Sequence, residues 1–254
     1  MHEPYLVENP MADTLVLMIH GMAGSPYQFG VLAQKLYEQG YSVQSLLLPG
    51  HGGSAKQFAG SGRTQWEQAA DQAVRHALLR YKKVVLIGHS MGCLLAIHAY
   101  HILMERNSIQ AMILLAPPLR IHMTGGYVWN NIRCALGHKQ LDAQQQKQKV
   151  YNSVDKGPAY GYVRWLPRYM DILKMASQAR KQIRGIQVPV LAVHSQNDEM
   201  VSNKSVLELE RYAPNCKVIC LPNSSHFLYA AEDADFLREQ VVDFLAQCVG
   251  SNHT

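Results

Sequence analysis

A serine lies at the centre of the pentapeptide Gly88-His89-Ser90-Met91-Gly92, which directly follows the apolar run Val84-Val85-Leu86-Ile87. The residues after it have a helical pattern, so the serine is predicted on a sharp turn between a buried strand and a helix. Gly88 and Gly92 remove side chains where a strained backbone would crowd its neighbours. This context predicts a nucleophile elbow. The alternative is an ordinary turn, because glycine and serine are common in turns.

Predicted strands and helices alternate along most of the 254 residues. This alternation indicates an α/β fold, with a mostly parallel central sheet and helices on both faces. A hydrophobic content of 48% suits one domain over residues 1–254. The rhythm breaks after Pro117-Pro118, and residues 119–168 are expected to form a small cap insertion. Strands are predicted at about 14–20, 41–48, 84–87, 109–116, 188–194 and 217–221, and helices at about 29–39, 64–81, 93–100, 168–181, 201–212 and 233–249.

Composition and cysteine usage narrow the class of protein. The longest apolar runs are far shorter than a membrane span, and the N-terminal residues do not read as a secretory signal. Five cysteines form no C-x-x-C pair and lack partners for a zinc site, so free thiols and a cytoplasmic location are expected. No metal site is predicted.

A serine hydroxyl is a weak nucleophile that needs a base, and the base needs a third group to orient it. In an α/β sheet these groups are expected after the serine, with the acid before the histidine. Asp198 follows the strand predicted at 188–194 and is the candidate acid. Its alternative role is that of a turn or cap residue. The rivals are Glu199, expected to point elsewhere, Asp142 and Asp155 in the insertion, and Asp171 in a helix.

His226 is the candidate base, because it follows both the acid and the last predicted strand. The alternative is a histidine in a surface loop. His20 and His51 precede the serine, and His253 lies in the tail. An oxyanion hole needs two converging N–H donors. The backbone of Met91, directly after the serine, is expected to supply one, and that of Met22, in the loop after the first strand, the other.

These segments together resemble the serine α/β-hydrolase superfamily. The resemblance rests on His20-Gly21-Met22-Ala23-Gly24-Ser25-Pro26, Leu48-Pro49-Gly50-His51-Gly52, the serine pentapeptide, Asp198 and His226. The first of these segments is most similar to bacterial monoacylglycerol lipases and carboxylesterases. The resemblance implies hydrolysis of short or medium acyl esters or monoacylglycerols through an acyl-enzyme, with no cofactor. Cys93 departs from the second glycine found in many relatives.

Other functions stay open on the same residues. The constellation also supports thioester hydrolysis, C–C bond hydrolysis and perhydrolysis. Epoxide and haloalkane hydrolases are disfavoured, since they have an aspartate where Ser90 stands. From a different class, the fold can serve as a ligand receptor with slow or absent turnover.

The insertion is the most basic part of a chain whose net charge is +5. Between Leu119 and Met170, eight basic residues stand against Asp142 and Asp155 alone. One interpretation is contact with anionic lipid surfaces or acidic substrates, and the other is a solvated basic face. The charge pattern is not that of a nucleic-acid-binding domain. In the superfamily this segment covers the active site, which would place its aromatic residues and methionines around an acyl pocket.

Overall fold

Seven strands form a single sheet in the computed structural model, which describes residues 2–103, 106–122, 151–155 and 163–250. The strand order is β1-β3-β2-β4-β5-β6-β7, with β1 antiparallel to β3 and every other neighbouring pair parallel. The strands are β1 (Tyr5–Val7), β2 (Thr14–Ile19), β3 (Ser42–Ser45), β4 (Lys83–His89), β5 (Ile109–Leu115), β6 (Val190–Ser195) and β7 (Cys216–Leu221).

Helices cover both faces of this sheet, because the central strands are apolar on both sides. Along β2, Leu15, Leu17 and Ile19 enter one core, whereas Val16 and Met18 enter the other. The first core contains residues of α2 to α6, and the second those of α1 and α7. The helices are α1 (Gly30–Glu38), α2 (Ala55–Gly60), α3 (Arg63–Arg80), α4 (Met91–Ile102), α5 (Leu166–Gln182), α6 (Lys204–Tyr212) and α7 (Ala231–Val249).

The predicted mostly parallel sheet covered on both faces is confirmed, although several element boundaries differ. The helix predicted from residue 201 begins at Lys204, because the N–H of Val201 donates to Asp198 Oδ1 and Val201 bridges to Ile121. The helix predicted from residue 64 begins at Arg63, and Gln65 Oε1 accepts from the N–H of Gly62. Strand β1 and helix α2 are additional elements that the sequence patterns do not indicate.

Most of the insertion expected at 119–168 lies outside the described residues, and so do Asp142 and the basic residues between 133 and 149. Within it, Ser153 and Asp155 donate backbone hydrogen bonds to Ala23 O and Gly53 O, at 2.9 and 2.8 Å. The four cysteines that the structure describes are free. In the same ranges, no helix combines the length and the apolar character needed to cross a lipid bilayer.

Candidate active site

Ser90 occupies the turn that joins β4 to α4. Its backbone has φ 50° and ψ −120°, in the left-handed region that costs a non-glycine residue about 1–3 kcal/mol. The N–H of Ser90 donates to Leu115 O on the neighbouring strand β5 at 2.9 Å, and Ser90 O accepts from the N–H of Cys93. The strained turn is therefore fixed by the sheet on one side and by the helix on the other.

Two glycines make this turn sterically feasible. A Cβ added at Gly92 would lie 1.9 Å from Ile19 O, and one added at Gly88 would lie 2.5 Å from the Cys93 nitrogen. Both neighbours are backbone atoms, which cannot move aside as a flexible side chain can. These distances agree with the steric reason given for glycine at these two positions.

The structure brings Ser90, His226 and Asp198 together, although they come from three separate loops. His226 Nε2 lies 3.0 Å from Ser90 Oγ, and His226 Nδ1 lies 2.8 Å from Asp198 Oδ2. An ionised carboxylate can only accept, so the proton of the neutral imidazole is on Nδ1, and Nε2 is left to accept from the serine hydroxyl. The His226 ring is fully buried, whereas Ser90 is partly exposed.

The environment of Asp198 keeps its carboxylate ionised. Burial acts to raise the pKa of Asp198, but the hydrogen bond and charge of His226 and two backbone N–H donors outweigh it. The donors are Met200 and Val201, at 2.9 and 2.7 Å from Oδ1. The net result is a pKa below the usual value, so Asp198 stays charged near neutral pH.

Two further side chains hold the backbone of His226. Glu199, expected to point elsewhere, accepts from the N–H of His226 at 3.2 Å. His89 Nε2 lies 3.1 Å from His226 O and donates to it. Burial, together with the nearby His226, lowers the pKa of His89 to about 3, so His89 stays neutral. Both residues are adjacent in sequence to a candidate site residue, which is the only signal that could have indicated them.

Met22 and Met91 have backbone N–H groups in the two segments that meet at Ser90. Met91 is the first residue of α4, so its N–H has no acceptor within the helix. The N–H of Met22 donates to none of the residues that the structure describes. A Cβ added at Gly21 would lie 3.0 Å from Ser90 Cβ, so the loop that carries Met22 passes directly beside the serine. This arrangement suits a pair of donors to an anionic oxygen.

Comparison with known proteins agrees with this geometry. Residues 10–233 match the family described as serine aminopeptidase, S33. The chain belongs to this family of hydrolases. A thermostable monoacylglycerol lipase of Bacillus sp. (strain H-257) is 23% identical over 257 residues, which cover 98% of this chain and 96% of the relative. A probable lysophospholipase L2 of Haemophilus influenzae is also 23% identical, over 86% of this chain and 79% of the relative.

Solved structures show the same fold at lower sequence identity. A soluble variant of monoglyceride lipase from Saccharomyces cerevisiae, in complex with a substrate analogue, has a TM-score of 0.76 and 18% identity to this hydrolase. The similarity covers 96% of this chain and 90% of that one. The hydrolase therefore has the α/β-hydrolase fold, as its sequence predicts.

Two buried histidines hold the loop that contains Met22 in the hydrolase. His20 Nδ1 lies 2.8 Å from Gly21 O, and His20 Nε2 accepts from the N–H of Leu48 at 3.0 Å. His51 Nε2 accepts from the N–H of Ala23 at 3.1 Å, while His51 Nδ1 lies 3.2 Å from Pro49 O. Each ring thus donates from Nδ1 and accepts at Nε2, and so joins loops that are distant in sequence.

Neither of these histidines can act in this way when protonated, because each needs a free acceptor nitrogen. Burial keeps both neutral: it lowers the pKa of His51 to about 4, and with the neighbouring His51 it lowers the pKa of His20 well below its usual value. The rings contact each other edge to face, with centroids 4.7 Å apart.

The insertion also contacts the Met22 loop. Ser153 Oγ donates to Gly24 O at 2.5 Å, beside the backbone bond from Ser153 N to Ala23 O. As for metals, the described ranges contain no group of three His, Cys, Asp or Glu side chains placed to bind an ion.

Proposed function

We propose that the protein is a serine hydrolase that cleaves carboxylic esters of the monoacylglycerol or short-to-medium acyl type through an acyl-enzyme. The observation that carries the proposal is the continuous hydrogen-bonded path from Ser90 Oγ through both nitrogens of His226 to Asp198. Membership of a serine hydrolase family supports it. The relatives named monoacylglycerol lipase and lysophospholipase support an acyl ester of a glycerol compound as the substrate.

Acylation begins at Ser90. His226 Nε2 takes the hydroxyl proton as Ser90 Oγ attacks the ester carbonyl carbon, and the carbonyl oxygen becomes an oxyanion. The N–H groups of Met22 and Met91 are the proposed donors to this oxyanion. Asp198 holds the ring in the required tautomer and stabilises the imidazolium that forms. The tetrahedral intermediate then expels the alcohol, which takes the proton from Nε2, and the acyl group stays on Oγ.

Deacylation repeats the sequence with water as the nucleophile. His226 Nε2 removes a proton from the water, which attacks the acyl carbonyl, and the same two N–H groups receive the second oxyanion. Its collapse returns the proton to Ser90 Oγ and releases the carboxylic acid. One ester and one water thus give one alcohol and one acid. These steps need no metal or redox cofactor.

The insertion at 119–168 is proposed as a cap over this site within a single domain. Its described residue Ser153 is hydrogen-bonded to the loop of Met22 beside Ser90, which supports a position over the site. The excess of basic residues in the segment supports contact with anionic lipid surfaces.

The proposal is tested by turnover of p-nitrophenyl esters of rising chain length and of monoacylglycerols. Ser90→Ala is expected to lower kcat by about 10⁵- to 10⁶-fold with the fold intact, since the nucleophile is lost. A fluorophosphonate probe is expected to label the wild-type protein at Ser90 and to leave Ser90→Ala unlabelled. Ser177→Ala, on α5, is the matched control and is expected to keep wild-type rates.

Three outcomes would overturn the proposal or redirect it. Wild-type ester turnover in Ser90→Ala would refute the mechanism. Higher kcat/KM for an aminoacyl p-nitroanilide or an acyl thioester than for every ester would assign the site to amide or thioester substrates. Absence of both turnover and labelling in the wild-type protein would favour a ligand receptor on the same fold.

A further inference from the structure

Helix α5 has apolar side chains on two sides, and only one of these sides is buried in the core. Ile172, Met175, Ala176 and Ala179 are buried and pack into the core that α3 and α4 share. The opposite side carries Leu166, Met170 and Leu173, which repeat at the spacing of one helix face. An ordinary surface helix has a polar outer face, so burial in the core does not explain this second apolar side.

The side chains on the outer side are exposed among the residues that the structure describes. Leu166 is 59% exposed, Met170 53% and Leu173 46%, and Val163, in the turn just before the helix, is 65% exposed. By contrast, Leu79 on α3 and Leu207 on α6 are each the only exposed large apolar side chain of a helix that the structure describes throughout. Single exposed apolar residues are normal, whereas a cluster of them marks an interaction surface.

The exposed charged side chains between residues 163 and 182 are all basic. Arg164, Lys174 and Lys181 are exposed beside the apolar residues. The only acidic residue between 163 and 182 is Asp171, and its carboxylate is already paired with Arg168 at 3.2 Å. The remaining base, Arg180, donates to Leu119 O. The outer side of α5 therefore combines apolar side chains with unneutralised positive charge.

The N-terminal end of α5 is connected to the proposed site through a series of buried rings on its core side. Trp165, directly before α5, lies 4.6 Å from Phe58, whose ring lies 5.1 Å from His51. His51 in turn holds the loop of Met22 through the N–H of Ala23. The N-terminal end of α5 thus lies on the side of the molecule where the loops beside Ser90 come together.

We propose that the outer side of α5 docks on an anionic lipid surface. We name Val163, Leu166, Met170, Leu173, Lys174 and Lys181 the α5 docking face. A surface helix with an apolar stripe and basic flanks inserts its apolar side chains at the boundary of headgroups and acyl chains, while its cations contact anionic headgroups. This docking deepens the lipid contact proposed for residues 119–168 by assigning it to one helix face, and it does not depend on ester turnover.

The test is co-sedimentation of the full chain with phospholipid vesicles. Wild-type protein is expected to bind vesicles of phosphatidylcholine and phosphatidylglycerol in equal parts, and to bind pure phosphatidylcholine vesicles at least about 10-fold more weakly. Salt is expected to weaken binding to the mixed vesicles, since it screens the lysines. The triple variant Leu166→Ser/Met170→Ser/Leu173→Ser is expected to lose about 10-fold or more of its partition into mixed vesicles.

Matched controls separate the α5 docking face from general surface hydrophobicity. Leu79→Ser/Leu207→Ser removes two apolar side chains elsewhere, 83% and 52% exposed, and is expected to bind like the wild type. Lys174→Gln/Lys181→Gln is expected to reduce binding to the mixed vesicles alone. Because the α5 residues are exposed, the triple variant should keep the wild-type circular dichroism spectrum and wild-type turnover of a water-soluble p-nitrophenyl ester.

The proposal fails if wild-type protein does not bind the mixed vesicles, or if the triple variant binds them as well as the wild type. It fails also if the wild type is a dimer by sedimentation velocity and the triple variant a monomer, because a second copy would then be the occupant. Loss of vesicle binding with unchanged ester turnover supports docking and leaves the ester proposal intact. Conversely, loss of ester turnover in Ser90→Ala with unchanged vesicle binding would show that docking does not require the catalytic serine.

Discussion

The histidine that contacts Ser90 and the two histidines that hold the loop of Met22 differ in the groups bound to their ring nitrogens. His226 has a carboxylate on one nitrogen and a hydroxyl on the other. His20 and His51 have backbone groups on both nitrogens. A carboxylate stabilises the cation that forms when a histidine takes a proton, whereas a backbone N–H that donates to Nε2 requires a neutral ring.

The partners of each ring nitrogen therefore assign proton transfer to His226 and positioning of the loop to His20 and His51. All three rings are strongly buried, so burial alone does not distinguish them. The N–H groups of Leu48 and Ala23 each lose a hydrogen bond if His20 or His51 is protonated, and burial opposes that protonation. The following substitutions test this division of roles.

The largest effect is expected for His226→Ala. With the proposed base removed, kcat for a p-nitrophenyl ester should fall by about 10⁵- to 10⁶-fold, because Ser90 loses its proton acceptor. Thermal unfolding checks that the variant is folded. A loss below about 10-fold would contradict the assignment of His226 as the base.

Asp198→Asn is expected to lower kcat by about 10⁴-fold, because an amide can donate to Nδ1 and favour the wrong tautomer. The matched control is Asp235→Asn on α7, an exposed carboxylate paired with Arg238, which should leave kcat unchanged. Equal activities of the two variants would show that Asp198 does not orient His226.

His51→Ala is expected to lower kcat/KM by about 10²-fold, since the loop of Met22 is no longer held at Ala23 and a small misplacement of an oxyanion donor is costly. His51→Gln keeps an acceptor for the N–H of Ala23 and should recover part of the loss. Affinity for a boronic acid, which mimics the tetrahedral intermediate, should fall in parallel with kcat/KM while KM changes little. A rise in KM with unchanged kcat would mean that His51 shapes the substrate pocket instead.

The smallest effect is expected at His98, a histidine with carboxylate partners but no place in the site. His98 lies 3.5 Å from Asp71 and 3.8 Å from Glu67, near Arg63 and Gln178. The hydrogen bond to Asp71 raises the pKa of His98 above 6.5, against the effect of burial. Its contribution to stability is therefore present below that usual value and is lost as the pH rises through the raised pKa of the folded state.

His98→Gln should accordingly lower the free energy of unfolding by about 1 kcal/mol or less at about pH 5 and by less still at about pH 8. Ester turnover should be unchanged at both pH values. Urea denaturation provides the measurement. A larger loss at the higher pH would show that the neutral ring, not the cation, stabilises the fold.

The sequence is most informative where chemistry and backbone geometry constrain neighbouring residues. The pentapeptide around Ser90, placed between an apolar strand and a helix, predicts the turn, and the two glycines meet backbone atoms as expected. The order of acid and histidine after the serine then predicts that Asp198 and His226 lie beside it, and the structure places them there.

Other features depend on contacts between distant segments and leave little trace in local patterns. His51 and Ala23 are 28 residues apart, so their hydrogen bond cannot be read from spacing. Strand β1 has three residues, pairs through its backbone and is largely exposed, so it lacks an apolar period. Helix α2 is a six-residue helix whose capping box is formed by Ser54 and Gln57. Helical periodicity is too weak a signal over such a length.

Residues 151–155 form a pair of backbone attachments, through Ser153 and Asp155, to the loops of Ala23 and Gly53. For enzyme engineering this sets the point at which segments can be exchanged. A chimaera that receives the insertion of another hydrolase should retain Ser153 and Asp155, and the graft should end before them. Replacing them together with the insertion would remove the two Ser153 hydrogen bonds to the loop of Met22, and would change the catalytic machinery along with the substrate specificity.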